Sequence, residues 1–191
     1  MYPILTPARA LLIVVILLRI PKAIKSRNAP KYIIDIERFE QCSEYPDIES
    51  PMLNQKFSKI NRTTRVFSYE TDLKRPMDEN IGIQADLERW SSNGWTKLPF
   101  IPLQPDACNL FSKLLGELWV DLKRHMGVKE PEKCPIPVGH YGMKDYMYDT
   151  SKLGGFAPFK GRFRYKIMLT DIRSKEVVQC IFAVLHVTDE V

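Results

Sequence analysis

The chain has 191 residues, with 28 Lys and Arg against 23 Asp and Glu, a formal charge of +5. That length suits one domain with a buried core. Its basic excess is concentrated at the start: the 28 basic residues less Arg9, Arg19, Lys22 and Lys25 leave 24 against 23 acidic, a net +1 over residues 27–191. A near-neutral remainder gives no electrostatic footprint for nucleic acid, so nucleic-acid binding is excluded as an expectation.

Residues 1–26 read as a signal peptide. Arg9 precedes an unbroken apolar run from Ala10 to Leu18, and Ala23 and Ser26 offer small residues for cleavage. The run is too short to span a bilayer, which takes about 20 residues. Residues 27–191 are then expected to form a single secreted, extracellular domain. Its four cysteines, Cys42, Cys108, Cys134 and Cys180, form no C-x-x-C pair, so disulfides are expected in place of zinc. Three connectivities are possible. Asn61-Arg62-Thr63 is a glycosylation sequon.

In chain order, 31–39 reads as a strand, 43–54 as a loop rich in turn formers, and 57–71 as one strand rich in Thr, Val, Phe and Tyr. Over 81–89, Ile81, Ile83, Ala85 and Leu87 alternate with polar residues, the period of a half-buried strand. Ser91-Ser92-Asn93-Gly94 reads as a turn leading into a partner strand from Trp95 to Phe100. One amphipathic helix is expected over 106–126, capped by Asp106, with Leu110, Phe111, Leu114, Leu115, Leu118, Trp119 and Leu122 on its apolar side. Strands follow at 141–148, 162–170 and 176–188, the last apolar on both faces and hence central in its sheet. The fold class is therefore mainly β: a β-cup or β-sandwich of antiparallel strands with one helix.

A four-residue turn at 172–175 pairs Asp171 with Glu176 and Ile167 with Cys180. Cys180 then shares the inward face with Ile167, Phe182 and Val184. A cysteine so placed suits a bridge from the C-terminal to the N-terminal strand, which gives Cys42–Cys180 and leaves Cys108–Cys134 to pin the helix to the following loop.

No nucleophile elbow, zinc-protease helix or phosphate loop is present. His125, His140 and His186 read as packed or surface histidines. No enzyme activity, metal or cofactor is expected. The unusual feature is apolar material in a loop: Leu153, Phe156 and Phe159 stand beside Gly154 and Gly155 between two strands. Such a loop can cover a ligand cavity or plug one end of a β-shell. The candidate pocket residues are Phe111, Leu115, Leu118, Trp119, Met143, Phe156, Phe159 and Tyr165. Trp90 and Trp95, at the hairpin tip, are weaker candidates.

Several stretches resemble a known family. They are Asn93-Gly94-Trp95-Thr96-Lys97-Leu98-Pro99-Phe100, Cys108 within a helix, the run Cys134-Pro135-Ile136-Pro137-Val138-Gly139-His140-Tyr141, Lys144-Asp145-Tyr146, and Gly161-Arg162-Phe163-Arg164-Tyr165. Together they resemble the insect chemosensory B proteins, which are similar to the GM2 activator protein in the MD-2-related lipid-recognition group. The resemblance implies a β-cup around an apolar cavity and binding of a lipid or hydrophobic signal molecule without catalysis. It also implies a role in taste or pheromone perception, with a sensory receptor or membrane surface as further partner. The alternative expectation is an extracellular protein–protein module with a filled core.

Overall fold

The computed structural model describes residues 32–61, 63–149 and 160–189. The expected signal peptide and the expected apolar loop with Leu153, Phe156 and Phe159 lie outside these residues. The described chain is mainly β and antiparallel, as expected, with two sheets. One has the order β1 (Tyr32–Gln41), β9 (Val177–Asp189), β8 (Gly161–Asp171), β4 (Ile81–Ser91), β5 (Gly94–Lys97), with β6 (Ile101–Gln104) also on β4. The other has the order β2 (Leu53–Lys59), β3 (Thr64–Leu73), β7 (Gly139–Asp149). The apolar C-terminal run is β9, which has neighbours on both sides.

Three expectations are corrected. The stretch 57–71 is two strands. Asn61 turns the chain between them: its Oδ1 accepts from the Thr63 and Thr64 amides at 2.9 and 2.8 Å. This side-chain capture of the backbone is a local turn that β-propensity does not register. Asn61, the asparagine of the glycosylation sequon, is thus exposed at this turn.

The single helix is two: α1 (Ala107–Leu115) and α2 (Glu117–His125), broken at Gly116 with φ 54° and ψ −126°. A side chain is strained there, and glycine is not. Asp106 caps α1 through the Asn109 amide, as expected. Tyr146 Oη donates to Asp121 Oδ2 at 2.6 Å, fastening α2 to β7.

The β8–β9 register begins as expected, with the Asp171 amide donating to the Glu176 carbonyl at 2.9 Å. Beyond Thr170 it slips by one, so that Met168 faces Cys180 and Ile167 faces Ile181. Because side chains alternate across a sheet, the slip moves Cys180 off the inner face. It packs with Cys42, Ile48 and Met168 on the other side. Both expected disulfides form, Cys42–Cys180 and Cys108–Cys134.

Where β1 meets β2 and β3, the fully buried Arg65 guanidinium pairs with Asp35, which also takes Lys59 Nζ at 2.5 Å. Arg65 Nη1 donates to the Asn61 and Thr64 carbonyls at 2.7 and 3.0 Å. The pair ties one sheet to the other along that side.

Candidate functional site

The inner face of β3 is built by strict alternation: Phe67, Tyr69, Thr71 and Leu73 all point the same way. On β7 alternation alone would bring Met143, Asp145 and Met147 inward. A bulge prevents this. Tyr69 faces Met143 while Phe67 faces Tyr146, so one extra residue is accommodated at Asp145, whose φ is 51°. Ser68 holds the bulge: its Oγ accepts from the Asp145 amide at 2.8 Å and donates to Asp145 Oδ1 at 3.2 Å. The strand changes phase there, so Tyr146 and Tyr148 turn inward and Met147 is left 67% exposed.

These side chains face Ile36 and Phe39 of β1, Ile167 and Leu169 of β8, and Gln179 and Ile181 of β9. The sheets do not close on each other. Between them is a cavity of about 280 Å³, walled on one side by Phe111, Leu115, Leu118, Trp119 and Leu122 of the two helices. Met52, Met77, Met126 and Ile136 complete its lining. The volume falls at the small end of the range for sites that take one small molecule.

Every described residue lining the cavity is uncharged. Two of its tyrosine hydroxyls are engaged: Tyr69 Oη donates to Met126 Sδ at 3.3 Å, and Tyr146 Oη donates to Asp121 Oδ2. Burial pushes the phenols of Tyr69, Tyr146 and Tyr148 above the usual range, and the Asp121 carboxylate adds to this for Tyr146. All three therefore stay neutral at physiological pH. Trp119 is supported from behind by Lys123, whose Nζ lies 5.9 Å from the indole and donates to the Lys133 carbonyl at 2.8 Å. Burial lowers the Lys123 pKa. Phe111 leans on Trp119 at 4.9 Å between ring centres.

Of the candidate pocket residues, Phe111, Leu115, Leu118, Trp119 and Met143 meet around this cavity. Tyr165 does not line it. Tyr165 lies two residues before Ile167 along β8, where it packs with the cluster of Ile34, Ile36, Phe163 and Val187 and borders a second depression over β4 and β8. Phe156 and Phe159 lie outside the described residues. Thr71 and Gln179 are lining residues that the sequence reading missed, although both carried a signal. Thr71 shares the inward phase of Phe67, Tyr69 and Leu73, and Gln179 is a lone amide in the apolar run from Val177 to Leu185.

A larger depression of about 500 Å³ lies over β4 and β8, between Phe100 and Phe182. Its floor is self-neutralising: Arg164 pairs with Glu88, and Lys166 with Glu44 at 2.6 Å. Trp95 stacks against Arg162 and Arg164 and meets Trp90 edge-on at 5.2 Å. Solvated ion pairs of this kind contribute little and select for no ligand, so the apolar cavity is the candidate site.

His125 lies 3.5 Å from Asp121, and His140 lies 2.8 Å from Asp72. Both histidines are exposed and outside the cavity lining. Among the described residues, no group of three His, Cys, Asp or Glu could hold a metal ion, and no helix is long and apolar enough to cross a membrane. No protein-family model and no curated protein matches the chain.

Proposed function

We propose that this chain is a secreted, non-enzymatic binding protein for a lipid or hydrophobic signal molecule. One observation carries the reading: a charge-free apolar cavity of about 280 Å³ in the middle of the domain. Water in such a space finds few hydrogen-bonding partners, and an apolar ligand replaces it with about 25 cal/mol gained per Å² of apolar surface buried. The two disulfides fit an oxidising, extracellular setting. The resemblance of residues 134–141 and 161–165 to the insect chemosensory B proteins supports a role in taste or pheromone perception. The cavity weighs against an interaction module with a filled core.

The test is to express the full chain in insect cells and collect the medium. The expected result is a processed protein there, lighter after removal of a glycan from Asn61. Under native mass spectrometry it should retain or take up an apolar molecule. Leu118→Trp should fill the cavity and weaken binding of a naphthylamine fluorescent probe at least tenfold while the protein stays folded. A secreted, folded protein that binds neither lipid extract nor probe overturns the reading.

A further inference from the structure

Thr71 and Gln179 come from opposite sheets and meet across the cavity: Gln179 Nε2 donates to Thr71 Oγ1 at 3.3 Å. Thr71 is 1% exposed and Gln179 7%. Around them the lining is aliphatic, aromatic or thioether. Buried polar groups are normally fully paired. A glutamine amide offers two N–H groups and a carbonyl oxygen, and a threonine hydroxyl can both give and accept. Here one N–H and one hydroxyl lone pair satisfy each other. Among the described residues, neither side chain makes another hydrogen bond. The Gln179 carbonyl, its second N–H and the Thr71 hydroxyl proton are left over, at the wall of a cavity.

Resting on the reading of this cavity as a ligand site, we propose that the Gln179–Thr71 pair is a subsite for one uncharged oxygen function, a hydroxyl or carbonyl, on an otherwise apolar ligand. The pair can donate to a ketone, aldehyde or ester oxygen, and can both donate to and accept from an alcohol. A pure hydrocarbon would leave it unpaired. A carboxylate would bring a charge into a lining with no cation to meet it. The site therefore selects by oxidation level and charge as well as by shape.

The experiment uses the mature protein and a naphthylamine probe displaced by four ligands of matched medium chain length: an n-alkane, an n-alkanol, a methyl ketone and an n-alkanoate. The wild type should bind the alcohol and ketone at least five- to tenfold more tightly than the alkane, about the effect of one well-made hydrogen bond, and the alkanoate most weakly. Gln179→Met and Thr71→Val, made separately, should each collapse the preference while keeping alkane binding, which also reports an intact cavity. Three results overturn the inference and leave the cavity reading standing: equal binding of alkane and alcohol by the wild type, tightest binding of the alkanoate, or an undiminished preference in both variants. If either variant fails to fold, the wild-type series and the other variant decide. If nothing displaces or binds, the cavity reading fails as well.

Discussion

Replacing both members of a disulfide by alanine tests how the two bridges share the work of holding the shell. Cys42–Cys180 spans 138 residues and Cys108–Cys134 spans 26. In the chain-entropy model the constraint on the unfolded state grows with the logarithm of the loop, giving about 5 kcal/mol for the first and about 3.5 kcal/mol for the second. Burial acts in the same direction, since Cys42, Cys108 and Cys180 are fully buried but Cys134 is only partly so. Cys42→Ala with Cys180→Ala should therefore cost at least about 1.5 kcal/mol more than Cys108→Ala with Cys134→Ala. The assay is urea unfolding followed by tryptophan fluorescence without reductant. The denaturant slope should also rise, as an uncrosslinked unfolded chain exposes more surface. Against a total stability of about 5–15 kcal/mol, loss of the longer bridge leaves a marginal domain. An equal or larger loss from the Cys108–Cys134 variant would refute the reasoning from loop length.

Gly116→Ala should destabilise by about 1–3 kcal/mol, because the backbone there is strained for any L side chain. It should also weaken probe binding, since Leu115 and Leu118 flank the break; an unchanged melting temperature would count against the two-helix wall. In acid, Asp171 should report on the β8–β9 turn. Its carboxyl is held below the usual range by the Ser174 amide, then by the Arg173 amide and Arg75. A carboxyl whose pKa falls on folding adds stability above its unfolded value of about 4, and this is lost as pH drops through the lower folded value. Asp171→Asn should thus be less stable than wild type at neutral pH, with urea midpoints converging as the pH falls below about 4. A constant gap down to the acid limit would exclude this origin.

The strands were legible where one face is buried, because apolar alternation writes the sheet face into the sequence: Ile81 to Leu87 and Phe163 to Leu169 fall on β4 and β8 as their spacing requires. Helical periodicity likewise brought Phe111, Leu115, Leu118, Trp119 and Leu122 to the cavity, since Gly116 interrupts the helix without turning that side away, but Leu114, counted with them, is 52% exposed, and Leu110 packs on the core without lining the cavity. What sequence hid were single-residue events. The Asn61 turn, the slip beyond Thr170 and the bulge at Asp145 each depend on a local hydrogen bond or one extra residue, which average propensities do not register. The disulfide pairing was right although the face assigned to Cys180 was not. A bridge needs the two cysteines close together on one face, whichever face that is, and the adjacency of β1 and β9 brings Cys42 and Cys180 together on the outer one.

The bulge at Asp145 makes the cavity wall depend on counting. If the bulge were lost with every residue kept, plain alternation in β7 would carry Tyr146 and Tyr148 out into solvent and turn Asp145 and Met147 inward. Deleting Lys144 or Asp145 would instead remove the bulge and leave Tyr146 and Tyr148 facing in, because Met143 and Tyr146 would then stand two residues apart, as Tyr69 and Phe67 do. Loss of the bulge keeps the composition and the disulfides of the domain, yet it rewrites the chemistry that a bound molecule would meet. Substitutions along this strand tune the lining one contact at a time, whereas a change at Ser68, which holds the bulge, can exchange a whole wall in one step.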